Sequence, residues 1–95
     1  MPSLEDLIIH LSGIRVNQND RSRADTVAGH LVADVLQGWR HEFSESQIQE
    51  LVRLSTKRIW DNYMYNRKLL GQSPKGAAKQ AIFDEVEFFE KFRAS

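Results

Sequence analysis

The sequence predicts an all-α protein, a compact bundle of four helices in which the first helix is short and the third is longest and central. Apolar residues recur at the three- and four-residue spacing of one helix face in four segments, each with its own start and stop signals. Only residues 13–16 and 92–95 lack this period, and neither alternates long enough for a β-strand. At 95 residues the chain has the size of one domain, which we place at residues 1–95.

Capping residues and apolar periodicity predict the first two helices. Ser3 starts the first helix, and Asp6 stands three residues later, where it completes a capping box. The second helix starts at Asp20 or at Ser22, which also has an acidic residue three positions on, and it ends near Gly38. Its broad apolar face consists of Ala24, Val27, Ala28, Leu31, Val32, Val35 and Leu36.

The third helix has the best-defined start in the chain. Ser44 is the predicted N-cap and Gln47 completes its capping box, while Phe43 and Ile48 have the spacing of a hydrophobic staple. The helix is expected to run to about Leu70. Its predicted core face comprises Ile48, Leu51, Val52, Ser55, Ile59, Tyr63, Leu69 and Leu70, with Asn62 and Asn66 among them.

A glycine stop and a proline start separate the third and fourth helices. Gly71 ends the third helix, and Pro74 begins the fourth because proline at the first helical position gives up no hydrogen bond. Ser73 is placed to cap the new helix. Its predicted buried face comprises Ala78, Ala81, Ile82, Val86, Phe89 and Phe92.

Composition favours a soluble, cytoplasmic globular domain. Apolar residues make up 41% of the chain and charged residues 27%, and there is no cysteine, which excludes disulfides and thiolate metal sites. We expect no secretory signal and no membrane span, because the apolar stretch near the N-terminus is short and carries acidic residues. The net charge is zero, but residues 44–80 carry +4 while the segments on either side carry −2 each. Cations are therefore concentrated on the third helix.

The third helix carries a second set of side chains opposite its core face. At about 100° per residue these side chains stack into one stripe. We call it the basic/aromatic stripe, and we expect it to bind a partner. Its residues are Arg53, Lys57, Trp60, Met64, Arg67 and Lys68.

Two interpretations of the basic/aromatic stripe remain open from the sequence. In one, the third helix is covered on two sides, so that Trp60 and Met64 belong to the core and the cationic stems lie along its edge. In the other, the stripe is exposed, and another protein, a second copy of the chain or a nucleic acid covers it. The fourth helix offers a complementary surface of acidic and aromatic residues. These residues are Phe83, Asp84, Glu85, Glu87, Phe88, Phe89, Glu90 and Phe92.

Catalytic and metal-binding chemistry has weak support in the sequence. His30 and Asp34 are one helical turn apart, but no third ligand position is fixed for a metal. The five glycines are isolated, so no phosphate-cradling loop is formed, and no nucleophile stands beside a base. We therefore expect no enzymatic activity, catalytic residue, metal or cofactor. The expected function is that of a small regulatory or adaptor protein that acts by contact with another protein or with further copies of itself, as a homo-oligomer. Nucleic-acid binding by the same stripe is the alternative.

Overall fold

The structure, a computed structural model, describes residues 2–94, which form four α-helices and no β-strand. The all-α prediction is confirmed, as are the short first helix and the long central third one. The third helix packs against both the second and the fourth, and the first contacts the same two helices. The bounds are α1, Leu4–Leu11; α2, Ser22–Val35; α3, Glu45–Lys68; and α4, Pro74–Ala94; with a 3₁₀ turn at Arg40–Glu42.

Three of the four predicted helix starts are confirmed. Ser3 caps α1 with a capping box: its hydroxyl accepts from the Asp6 N–H at 3.1 Å, and the Asp6 carboxylate accepts from the Ser3 N–H. Ser44 and Gln47 form the same motif at the start of α3. Helix α4 begins at Pro74. These starts depend on side chains within three residues of one another, which is why the sequence alone locates them.

The predicted boundaries of α2 are partly wrong. Ser22 is the first helical residue rather than the cap, and Arg21 at the cap position makes no side-chain capping bond, so the expected capping box is absent there. The carboxylate of Asp20 instead accepts a hydrogen bond from the Ser22 N–H at 2.9 Å. The helix ends at Val35, and Gly38 forms the following turn with a φ of 87° that favours glycine.

The core forms where the apolar faces of the four helices meet. The predicted apolar face of α2 is buried throughout, and Ile59 and Tyr63 of α3 are fully enclosed. The prediction that Leu69 and Leu70 join this core is wrong, because α3 ends at Lys68 before they complete another turn; Leu69 is 74% exposed. On α4, Phe92 is also exposed, although Phe89 is buried as predicted.

Two buried polar groups fix α3 relative to its neighbours. The Tyr63 hydroxyl donates to the carbonyl of Ile14 at 2.7 Å and so ties α3 to the loop after α1. The Asn66 side-chain amide donates to the carbonyl of Ala77 at 3.2 Å and ties α3 to the start of α4. Each bond satisfies a polar group that would otherwise be buried without a partner. Among the described residues, no helix has the length and apolar character needed to cross a membrane.

Candidate functional site

A concave surface lies between the start of α2 and the first half of α3. We call it the basic groove. It has a volume of about 520 Å³ and is lined by Arg21, Asp25, Ile48, Gln49, Val52, Arg53, Thr56 and Lys57. Three of these side chains are cationic and one is anionic, so the lining has a net charge of +2.

Arg53 and Lys57 bring two members of the basic/aromatic stripe into this groove. Both side chains are exposed, and each is paired with a carboxylate on its own helix. Arg53 donates two hydrogen bonds to Glu50, at 2.6 and 2.9 Å, and Lys57 donates one to Asp61 at 2.7 Å. The Arg53 guanidinium lowers the pKa of the Glu50 carboxyl below its usual value. Such exposed pairs contribute little to stability, so the two cations remain available to a ligand.

Trp60 is part of the core and is not an exposed anchor. Its side chain is 7% exposed and lies in the same buried cluster as Ile59 and Tyr63. The chain itself therefore covers the indole, which corrects the interpretation in which a partner covers it. The guanidinium of Arg21 lies 5.4 Å from the centroid of the Trp60 ring, within the range of a cation–π contact.

The remaining stripe residues lie away from the groove. Met64 is half-buried and packs against the core, Arg67 is half-buried, and Lys68 is exposed at the last turn of α3. Ten residues separate Lys57 from Arg67, which corresponds to about 15 Å along the helix. The structure therefore divides the stripe into a groove-lining pair, a core segment and a distal basic end.

Asp25 on α2 and Thr56 on α3 connect the two sides of the basic groove. The Thr56 hydroxyl contacts the carboxylate of Asp25 at 3.3 Å and the carbonyl of Val52 at 2.7 Å. Thr56 is buried, whereas Asp25 is exposed. Asp25, the one carboxylate among the lining residues, reduces the net charge that the groove presents to a ligand.

The acidic and aromatic surface of α4 is partly used inside the molecule. Glu85 is 1% exposed, and its carboxylate accepts two parallel hydrogen bonds from Arg58, each 2.9 Å long. The same guanidinium lies 4.0 Å from the Phe88 ring centroid. The sequence places Arg58 outside both faces of α3, so this contact between α3 and α4 is made by a residue that does not belong to the stripe.

Sequence analysis missed Arg21 and Arg58 as partners of these surfaces. Each contacts a residue that is distant in the sequence: Arg21 contacts Trp60, and Arg58 contacts Glu85. Periodicity compares residues on one helix, so it carries no signal for contacts between helices. The high density of cations in residues 44–80 marks the region in which Arg58 lies, but it does not identify its partner.

Metal coordination has no site among residues 2–94. No group of three or more histidine, aspartate or glutamate side chains there is arranged to hold an ion. His30 and Asp34 line a separate hollow between α1 and α2, together with Leu4, Leu7 and Leu31 among others. The basic groove instead presents guanidinium and ammonium donors, which are suited to an anionic group.

The fold and the basic groove define the chain as an all-α four-helix protein with a cationic surface cleft. The chain matches no protein-family model, no curated protein and no solved structure.

Proposed function

We propose that this protein is a small, non-enzymatic, cytoplasmic regulatory or adaptor module that binds an acidic segment of another protein in the basic groove. The observation that supports this proposal is the convergence of Arg21, at the N-cap of α2, and Arg53 and Lys57, on α3, on one cleft. Ile48 and Val52 line the same cleft and offer apolar contact area. A segment that combines carboxylates with an apolar side chain complements this lining in both charge and polarity.

The cations are expected to govern orientation and association rate more than total affinity. Charges at the rim of an interface steer the encounter and are screened by salt. Trp60 contributes to binding indirectly, because its buried ring contacts Arg21 instead of the partner. A buried indole offers no face on which a nucleic-acid base could stack, which favours a protein partner over the nucleic-acid alternative.

Chemical-shift mapping with a short peptide of alternating glutamate and leucine tests this proposal. The expected result is a shift of amide signals along residues 21–25 and 48–57 that saturates on titration. A peptide with glutamine in place of glutamate should bind much more weakly. Lys57→Glu should weaken binding, whereas Lys79→Glu, which makes the same charge change on an exposed residue of α4, should not.

Two results would contradict the proposal. Equal loss of binding in Lys57→Glu and Lys79→Glu would mean that bulk charge, and not the groove, attracts the peptide. Tighter binding of a single-stranded oligonucleotide than of the peptide, with a steep decline as salt is raised, would support the nucleic-acid alternative.

Self-association is a second candidate, supported by the surface of α4. Asp84 and Glu87 are exposed there beside Phe83 and Phe88, which also remain exposed. This surface is opposite in charge to the basic groove, so α4 of one copy complements the groove of another. Where both contacts form reciprocally between two copies, the result is a two-fold dimer, and where they form head to tail, it is a closed ring or an open chain.

Light scattering across a dilution series tests self-association. Mass should rise with concentration and fall with added salt. Glu87→Lys alone should reduce association, and combining it with Lys57→Glu should restore it, because the two charges are exchanged. A strict monomer at high concentration would exclude this candidate.

A further inference from the structure

We infer that the basic groove recognises a phosphorylated serine or threonine side chain of its partner protein, in preference to acidic residues in general. This inference rests on the function proposed above and specifies the chemical group that the groove takes. It follows from the number of cations and from the way one of them is held.

Arg21 is oriented for anion binding before any ligand arrives. The Trp60 ring beneath it is fixed in the core, and the guanidinium lies 5.4 Å from the ring centroid. Among residues 2–94, Arg21 takes part in none of the ion pairs. No carboxylate therefore has to be displaced from the Arg21 guanidinium before it binds an anion. Contact with an aromatic face also leaves the N–H donors at the edge of a guanidinium free.

Arg53 and Lys57 can add their charges without disrupting the fold. Their carboxylate partners, Glu50 and Asp61, lie on the same helix, and all four side chains are at least half exposed. Exposed pairs of this kind contribute little to stability. Exchange of these partners for a more highly charged ligand therefore costs little.

A phosphate monoester fits this arrangement better than a carboxylate does. At neutral pH it carries a charge of about −1.5 to −2 and has three strong acceptor oxygens, so that it can engage more than one cation at once. A single carboxylate has one charge and is satisfied by one guanidinium. Asp25 in the lining opposes either anion, and the three cations outnumber it.

The apolar part of the groove favours a peptide as the carrier of the phosphate. Ile48 and Val52 are half-buried and line the cleft beside Arg53 and Thr56. They offer a place for the side chain next to the phosphorylated residue. A nucleic acid would instead require more cations and an exposed aromatic platform, and Trp60 is covered.

The test is a calorimetric titration with three short peptides that differ at one position, occupied by phosphoserine, glutamate or serine and flanked by leucine. Inorganic phosphate serves as the probe without a peptide. The phosphoserine peptide should bind about tenfold more tightly than the glutamate peptide. Its affinity should fall when the pH is lowered through the phosphate pKa of about 6, whereas the glutamate peptide keeps its charge there.

Three variants make the test specific to the groove. Arg21→Gln should weaken phosphoserine binding about tenfold, corresponding to loss of one charge-assisted contact. Asp25→Asn should strengthen it, because the change removes the charge while the side-chain oxygen can still accept from Thr56. Lys79→Gln, a remote cation on α4, should leave the affinity unchanged.

The possible failures are distinguishable. Equal affinity for the phosphoserine and glutamate peptides would overturn this inference and leave the proposed protein contact standing. Failure of all peptides, including the glutamate–leucine peptide above, would overturn both. Phosphate binding that survives Arg21→Gln would place the anion elsewhere and overturn the inference as well.

Discussion

The guanidinium of Arg58 and the carboxylate of Glu85 form a two-pronged ion pair that joins α3 to α4 and is buried on the carboxylate side. Glu85 is 1% exposed, whereas the side chain of Arg58 is about one-third exposed. The two partners therefore differ in what their removal leaves behind. Loss of Arg58 strands a buried negative charge, but loss of Glu85 leaves a cation that can reach water.

This asymmetry predicts unequal costs in the two single variants. Arg58→Met keeps most of the packing on Phe88 and should lower the free energy of unfolding by about 3 kcal/mol. Glu85→Gln keeps one hydrogen-bond acceptor and should cost about 1–2 kcal/mol. Urea denaturation measures both. The double variant should cost less than the two single variants added together, and full additivity would show that the pair is not coupled.

Tyr63 supports a prediction with a natural control on the same helix. Tyr63→Phe removes the hydroxyl that donates to the Ile14 carbonyl at 2.7 Å in a buried site, so the free energy of unfolding should fall by about 1–2 kcal/mol. Tyr65, which is 52% exposed, is the matched position, and Tyr65→Phe should have almost no effect. Chemical denaturation of both variants provides the comparison. Equal effects would mean that the buried hydrogen bond contributes nothing specific.

Two glycine-to-alanine changes should differ in size. Gly29 lies within α2 with open space around a new methyl group, so Gly29→Ala should stabilise the protein by about 0.5–1 kcal/mol. At Gly13 the methyl group would meet the Arg23 guanidinium, which donates to the His10 carbonyl at the end of α1. Gly13→Ala should displace that exposed side chain, and the loss of its hydrogen bond offsets the gain from replacing glycine. Thermal unfolding should therefore show a higher midpoint for Gly29→Ala and a smaller change for Gly13→Ala.

Ser55 is a buried hydroxyl that forms no hydrogen bond with any described residue. Ser55→Ala should therefore raise the free energy of unfolding by about 1 kcal/mol, since alanine removes the buried polar atom and favours the helix. Ser55→Thr adds a methyl group to a fully enclosed position and should destabilise the protein by about 1–3 kcal/mol. Urea denaturation measures both changes, and a destabilising Ser55→Ala would indicate that the hydroxyl has a favourable partner.

His10 predicts a pH dependence of stability. Partial burial, followed by the charges of Arg23 and His30, lowers the pKa of the His10 imidazole from 6.5. The unfolded chain therefore binds a proton more readily than the folded one, so this contribution to stability is present above pH 6.5 and is lost as the pH falls through the lower folded pKa. NMR titration of the His10 ring should give a midpoint below pH 6.5. His10→Gln should reduce the loss of stability that occurs as the pH falls from 6.5 through the folded pKa of His10.

The predicted helices were most accurate where their signals are local. The capping boxes at Ser3 and Ser44 and the start at Pro74 are confirmed, since each is set by residues within one turn. Leu69 and Leu70 were wrongly assigned to the core because the apolar periodicity of the sequence continues beyond the residue at which the helix ends. Of the predicted stripe, Arg53 and Lys57 line the basic groove, whereas Arg21, which also lines it, has no signal in the pattern of α3.

The chain's own sequence determined that the protein is all-α, where three of its helices start, and that α3 carries a core face and a charged face. Those properties arise from the 3.6-residue helical period and from hydrogen bonds between near neighbours. Only the tertiary structure decided that Trp60 is interior, that Arg21 lies against its ring, and that Arg58 pairs with Glu85. These contacts join different helices, and burial depends on which helix packs against which face.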